Sequence, residues 1–260
     1  VDDGGVVLHE LGLDQAAAEA AAQDLAAQDR SRFDLGAPPL LRFTLARLGP
    51  DRYRLMITTH HLLVDGWSMP VLISELMRIY RAGGQPGGLA PVVPYRDYLA
   101  WLARQDRDAA RAVWREALAG LEEPTLLAPA QAGRELAEPA QMVIMLPEEL
   151  TAALRECARS LGLTLNTVIQ GAWGLLAGRL ACRDDVVFGV TVAGRPPELP
   201  GAESMLGLFI NTVPVRVRLD PGQPVAALLA GLQQEQAALF AYQYLGLAEI
   251  QRVAGPGAVF

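Results

Sequence analysis

Lysine is missing altogether: the 22 basic residues of this 260-residue chain are all arginine, set against 29 acidic ones for a net charge of −7. That uniformity, like the abundance of alanine, glycine and proline, reflects GC-rich coding rather than a physical demand. No stretch concentrates arginine with interleaved aromatics, so nothing in the pattern suits a phosphate backbone and no nucleic-acid role is expected. Cysteine is nearly absent. Cys157 and Cys182 stand far apart and outside any metal-spaced or redox motif. Two packed thiols in a reduced, cytoplasmic protein are expected, one disulfide being the alternative. No signal peptide opens the sequence. Its most apolar run, Thr167 to Gly178, is shorter than the ~20 residues of a bilayer-spanning helix, so no membrane partner is expected. Internal repeats are lacking too. The sequence begins at Val1 rather than Met and ends at Phe260 without a terminating signature; the expectation is a piece lacking both ends of a longer domain.

What is present is a chain that can fold. Hydrophobic residues make up 51% and charged ones 20%, enough apolar surface for one large domain or two lobes and too much for global disorder. Asp14 to Arg30 reads as a capped helix. Leu40 to Leu48 and Arg52 to Thr59 read as strands around a Gly49-Pro50-Asp51 hairpin turn. In the second strand Tyr53, Leu55, Ile57 and Thr59 share one face. After His60-His61-Leu62-Leu63-Val64-Asp65-Gly66, Ser68 is placed to cap a helix that carries Leu72, Leu76 and Ile79 on one stripe and stops at Gly83-Gly84. Two further helices are expected over Tyr95 to Gln105 and Asp108 to Leu118. Gly120 to Ala140 holds three prolines and no periodicity. It is the linker candidate, dividing the chain into 1–125 and 126–260. Beyond it lie an expected strand at Met142 to Leu146 and helices over Pro147 to Leu161 and Thr164 to Leu180. The second is capped by Thr164 or Asn166, and its Gly171, Gly174 and Gly178 admit a close-packed backbone. Strands over Val186 to Ala193 and Leu208 to Leu219 and a helix from Pro224 to about Tyr244 complete a layered α/β (α+β) chain.

Three histidines are present, and two are adjacent at a strand end. Neighbours in extended chain point to opposite sides, so one ring can face a cavity while the other packs. That geometry argues against both rings chelating one metal, and no further ligand stands at a zinc spacing. Asp65 can fix the loop that follows, and Gly66 permits a bend or a close backbone approach. Imidazole is suited to moving a proton between an amine and a reacting carbonyl. No nucleophile elbow or activated cysteine appears, so direct transfer is the simpler chemistry.

His60 to Ser68, HHLLVDGWS, resembles the HHxxxDG motif of condensation domains of nonribosomal peptide synthetases, a motif shared with acyltransferases of the chloramphenicol-acetyltransferase type. Other segments narrow the resemblance, in order along nearly the whole chain. Tyr95-Arg96-Asp97-Tyr98 with Trp101 is similar to YxDYxxW, and Trp114 to Gly120 to the tryptophan helix that follows it. Phe188 to Arg195, FGVTVAGR, is similar to a glycine-to-arginine motif. Met205 to Val215, MLGLFINTVPV, is similar to GxFxNTxxxR, with Arg216 or Arg218 at its basic end, and Leu247 to Gln251 fits the later region. The family's His-Gln pair appears as Tyr242-Gln243, without its histidine.

The resemblance implies two chloramphenicol-acetyltransferase-like lobes forming a V, both incomplete here, with the active site between them. It implies amide formation between a donor aminoacyl or peptidyl thioester and an acceptor aminoacyl thioester, in antibiotic and secondary-metabolite synthesis. No cofactor is bound by the domain itself; substrates ride on the phosphopantetheine of partner carrier domains, beside an adenylation domain. By resemblance His61 is the catalytic ring. It orients the acceptor amine, accepts its proton or steadies the tetrahedral intermediate. His60 holds the loop, and Asp65 fixes it through an ion pair with Arg195. Gly66 offers a backbone N–H to the oxyanion, or is a plain turn glycine. Trp67 and Ser68 are loop packing and helix cap or substrate contacts, and Asn211 lines the tunnel or is a satisfied sheet-edge amide. Trp101 and Trp114 are core residues. The competing functions are a non-catalytic carrier-docking or recruitment relative, and another acyltransferase of the superfamily using acyl-coenzyme A.

Overall fold

The computed structural model describes residues 6–10, 15–29, 33–127 and 141–255. Helices and strands are mixed: β1 (Val6–Glu10), α1 (Gln15–Asp29), β2 (Leu41–Gly49), β3 (Arg52–Thr59), α2 (Ser68–Arg81), α3 (Tyr95–Ala103), α4 (Arg107–Ala117), α5 (Glu148–Ser160), α6 (Leu165–Ala181), β4 (Asp185–Val192), β5 (Asn211–Arg218), α7 (Val225–Leu239) and α8 (Leu247–Ala254). They form two compact units. One comprises Val1–Trp101 and Arg195–Phe209, the other Leu102–Gly194 and Ile210–Phe260. This division differs from the one expected at 125/126. Most of the proline-bearing linker candidate, 128–140, lies outside the described residues. The stretch before it packs with the second unit, because Trp114, Leu118 and Leu121 bury against Val187, Val213, Leu245 and Ile250.

In the first unit β2 is the centre of a three-stranded sheet, parallel to β1 and antiparallel to β3. The hairpin turn falls at Pro50-Asp51, where the sequence places it. α1 covers one face through Ala18 and Ala22, which pack with Ala46, Leu48 and Met56. Small alanines allow the helix to lie close, and Glu19 fixes its register with salt bridges to Arg52 and Arg54 at 2.7 and 2.5 Å. A second core joins Tyr98, Met205 and Phe209 with Val93, Tyr95, Trp101 and Leu199. Segment 195–209 therefore packs with the first unit although β4 and β5, on either side of it, belong to the second.

In the second unit β4 and β5 pair antiparallel, with Val187 opposite Arg216. Val186, Phe188, Val215, Val217 and Leu232 form the core beside this ladder. Of the two candidate caps of α6, Thr164 is the one used: its hydroxyl accepts from the Thr167 N–H at 3.1 Å. The α6 glycines do admit close approach, chiefly of side chains rather than of another backbone. A Cβ on Gly171 would lie 2.1 Å from Leu229, and one on Gly174 2.8 Å from Val217. Arg216, not Arg218, is the buried basic end of the GxFxNTxxxR segment. It grips the Asp185 carboxylate with Nε and Nη2, at 2.9 and 2.6 Å, and donates from Nη1 to the Ala119 carbonyl at 2.7 Å. Arg218 is paired with Glu235 on the surface.

Several expectations are corrected. No strand forms over 142–146, where Met142 and Met145 are 84% and 83% exposed. β-forming residues hold a strand only when a neighbouring edge takes their backbone bonds, and none does so among the described residues. β5 starts at Asn211 rather than Leu208, because 205–209 is drawn into the core of the first unit. α7 stops at Leu239 and a single 3₁₀ turn, Phe240–Tyr242, replaces its last turns. Both cysteines are exposed rather than packed, Cys182 as the left-handed residue that ends α6. Among the described residues no helix is long and apolar enough to cross a membrane.

Candidate active site

The paired histidines sit where β3 gives way to a tight turn. The His60 N–H donates to the Leu40 carbonyl at 2.9 Å, extending the ladder by one rung, and its carbonyl accepts from the Leu63 N–H at 3.0 Å. Its ring Nδ1 accepts from the Leu62 N–H at 3.1 Å. A nitrogen that accepts carries no proton, so the proton of the neutral ring belongs on Nε2. The ring also meets Phe33 edge-on, with centroids 6.2 Å apart. His60 is thus held on both sides of its backbone and through its ring. His61 is exposed, and no hydrogen bond holds its ring among the described residues.

Asp65 is the opposite case, 1% exposed. Its N–H donates to the Gly207 carbonyl at 3.1 Å. Carboxylate Oδ1 accepts from the Ser68 N–H at 2.8 Å and lies 2.9 Å from the Ser68 hydroxyl and 3.3 Å from Arg195 Nη2. Oδ2 accepts from the Phe209 N–H at 3.0 Å. Burial by itself would raise the pKa of this carboxyl. The Phe209 and Ser68 donors and the Arg195 charge outweigh it and hold the carboxyl below its ordinary value. Arg195 lies with its guanidinium carbon 4.0 Å from the centre of the Phe209 ring, and donates from Nη1 to the carbonyls of Ala202 and Met205. The pair expected between Asp65 and Arg195 is present, with side chains 0% and 5% exposed.

Ser68 does not cap α2. It is the first residue of the helix, and its own N–H is taken by Asp65, three positions earlier, whose carboxylate reaches it first. Its hydroxyl is enclosed and bonded within the protein, so it is not a surface that meets solvent. Gly66 is not required by its backbone: its φ is not positive, and an added Cβ would meet nothing within 4 Å. Trp67 is 54% exposed, with Nε1 donating to the Glu203 carbonyl at 3.3 Å. Asn211 belongs to the second unit. It donates from Nδ2 to the carbonyls of Gln243 and Leu245, at 2.8 and 2.7 Å, while Oδ1 accepts from the Thr212 N–H. That is a satisfied amide tying β5 to the turn before α8. The first unit therefore brings together His60, His61, Asp65, Gly66, Trp67, Ser68 and Arg195, and Asn211 is not among them.

Three further contributors, Tyr95, Gly207 and Phe209, stand at motif positions to which the sequence alone assigns no role. Tyr95 donates to the Leu208 carbonyl at 2.5 Å, and its ring lies where a Cβ on Gly207 would be, 2.1 Å away. Tyr98 packs beside them, and burial pushes its hydroxyl up to about 12. The signal existed, since all three stand in motif segments, but nothing local shows that those segments meet. Gly207→Ala is accordingly expected to destabilise the chain by ~1–3 kcal/mol, the usual cost of overpacking, and to lower its denaturation midpoint in urea. An unchanged midpoint would show that Tyr95 does not pack against Gly207.

A cavity of about 310 Å³ in the second unit, lined by Trp114, Leu118, Val215, Leu232, Gln236 and Leu239 among others, includes none of the expected site residues. Among the described residues no group of three His, Cys, Asp or Glu side chains is placed to hold a metal.

Comparison with known proteins agrees with the motif reading. The family model described as Condensation domain matches residues 6–256. One of the proteins of linear gramicidin synthase from Brevibacillus parabrevis is 44% identical over 250 residues, which cover 94% of this chain and 3% of that protein. Bacitracin synthase 3 of Bacillus licheniformis is 39% identical over 228 residues, 86% of this chain and 4% of that protein. Among solved structures, the first condensation domain of the calcium-dependent antibiotic synthetase, in complex with a substrate analogue, superposes with a TM-score of 0.73 at 26% identity. It is matched over 96% of this chain and 60% of its own. The X-domain in complex with OxyB from teicoplanin biosynthesis gives a TM-score of 0.79 at 24% identity, over 96% and 56%, a likeness of fold alone. The chain thus spans a few per cent of these curated relatives and about 60% of the solved chains.

Proposed function

Because this chain belongs to the condensation-domain family, with its chloramphenicol-acetyltransferase-like fold, we propose that it carries the histidine loop of an amide-forming acyltransferase acting on two carrier-bound thioesters. The acceptor α-amine attacks the donor thioester carbonyl, forming the C–N bond. The tetrahedral intermediate then expels the donor phosphopantetheine thiolate as the C–S bond breaks. One proton leaves the amine and one reaches the thiolate, so the reaction closes with an amide on the acceptor arm and a free thiol on the donor arm. His61 accepts the proton that leaves the amine. His60 positions it from the strand side, and the Asp65–Arg195 pair holds the loop from the helix side. Carrier domains and an adjacent adenylation domain are the partners in this reading, the substrates arrive on phosphopantetheine, and the setting is the cytoplasm.

The observation that carries the proposal is the contrast between His61 and the two other titratable side chains of the loop, His60 and Asp65. Within one short loop His60 and Asp65 are tied down by hydrogen bonds, while the ring between them is exposed. A fold that used both histidines for packing would bury both. Gly66 adds to this. The backbone has no need of a glycine there, so the space beside it is open to a substrate. Gly66→Ala is expected to keep the melting point of the chain, within the ~0.5 kcal/mol typical of surface changes, yet to slow amide formation by about tenfold or more by misplacing the reactants. A full rate in this variant would remove any role for that space.

The direct experiment places residues 6–256 in the matching region of the linear gramicidin synthase protein and supplies donor- and acceptor-loaded carrier domains. Amide on the acceptor carrier supports the proposal. Product formed only from free acyl-coenzyme A and a small amine would instead assign the chain to another acyltransferase. No product, with both carriers still retained by the chimera, would assign it to recruitment.

A further inference from the structure

Ser68 is 0% exposed, and its hydroxyl oxygen lies within hydrogen-bond distance of four polar atoms from three stretches of chain. Asp65 Oδ1, Arg195 Nη2 and the Gly207 carbonyl are each 2.9 Å away, and the Gly207 N–H nitrogen is 3.1 Å away. A hydroxyl has one hydrogen and two lone pairs. It therefore accepts from Gly207 and Arg195 and donates to Asp65 or to the Gly207 carbonyl. Every capacity of the group is filled.

The direct contact between Asp65 and Arg195 is 3.3 Å, longer than either leg through Ser68. The hydroxyl is therefore the tighter connection between the two charges. Asp65 also gathers both ends of segment 195–209, Arg195 through Oδ1 and Phe209 through Oδ2. Ser68 holds the same segment further along, at Gly207. Upstream of His61 the loop is secured independently, by His60 on Leu40 and Leu62. Loss of the hydroxyl would release the downstream side of the loop alone, which displaces His61 rather than unfolding its strand.

We propose that Ser68 is a positioning residue for amide formation: its hydroxyl, by bridging Asp65, Arg195 and Gly207, sets where the loop presents His61. The proposal rests on the amide-forming reading above. It assigns Ser68 no contact with substrate.

The test uses Ser68→Ala and Ser68→Cys, the latter keeping the shape of serine while offering only a weak donor and acceptor. In the gramicidin-synthase chimera both variants are expected to lower kcat by about 10- to 100-fold, the scale of a small misplacement of reacting groups, with KM for each loaded carrier within about twofold of the parent. Histidine ring NMR of the chain itself gives a second readout, since it has three histidines. The His61 signal should shift or split, and the His60 signal should stay. The proposal is overturned by a cysteine variant as active as the parent, by kcat and KM worsening together as the folded fraction falls, or by an unmoved His61 signal. A chimera that is silent before any change to Ser68, beside an active parental gramicidin synthase, would refute the amide-forming reading. The NMR comparison would still decide whether Ser68 positions the loop.

Discussion

His61→Ala is expected to lower the rate of carrier-to-carrier amide formation by about 10²–10⁴, the usual worth of a positioned acid–base group, and to leave the folding of the chain unchanged. The two halves of this expectation have different sources. The rate loss follows from placing the untethered ring of the loop beside the reacting amine. The unchanged stability follows from exposure: the ring accounts for no hydrogen bond among the described residues and is not in any buried cluster. His60→Ala should differ by melting early, since its Nδ1 holds the Leu62 N–H, and should lower the rate only through the loosened turn. Measuring amide product in the chimera and thermal melting of the chain, for both variants, separates the roles. If His61→Ala melted early, or formed amide at the parental rate, the ring would be a structural element of the turn and the catalytic assignment would be lost.

Asp65→Ala should be the most damaging single change to stability. It removes one partner of a buried ion pair and leaves the Arg195 charge with side-chain exposure of only 5%. Breaking such a pair typically costs ~3–5 kcal/mol, a large part of the ~5–15 kcal/mol that holds an ordinary domain. The Phe209 and Ser68 N–H groups lose their acceptor at the same time. Soluble yield and urea midpoint should both fall, and activity with them. The same carboxylate makes the fold sensitive to acid. Its pKa in the folded chain is lowered, so its contribution is fully present above the ordinary aspartate value of about 4 and is lost as pH falls through the folded value. Asp65→Asn, which cannot titrate there, should lose less stability than the parent between pH 7 and pH 3. Equal acid sensitivity in the two proteins would mean that Asp65 is not an important proton-linked group.

How far the sequence can be read depends on the range of the signal. The β2–β3 hairpin, the glycine stop after α2 and the threonine cap of α6 are written within a few residues, and each forms where its local chemistry places it. The strand expected at 142–146 shows the limit. Its propensity is real, but a strand also needs an edge to bond, and that is not a property of the segment. Ser68 shows the same limit at the level of one residue. A serine before an apolar helix suggests a cap, yet the carboxylate of Asp65 takes the helix N–H and frees the serine hydroxyl for partners 139 positions away.

The sequence by itself determined the family, the α/β class and the identity of the loop, because the HHxxxDG run and the ordered motifs after it are local patterns of residue type. Tertiary structure alone decided that Asp65 collects the Phe209 N–H beside its expected partner Arg195, that Ser68 bridges Asp65 and Arg195, that Gly207 makes room for Tyr95, and that Gly66 answers to no backbone demand. The physical reason is that a buried hydrogen bond or close contact depends on which distant segments the core draws together. A glycine, a backbone N–H or a serine hydroxyl carries no mark in the sequence of the partner it will meet.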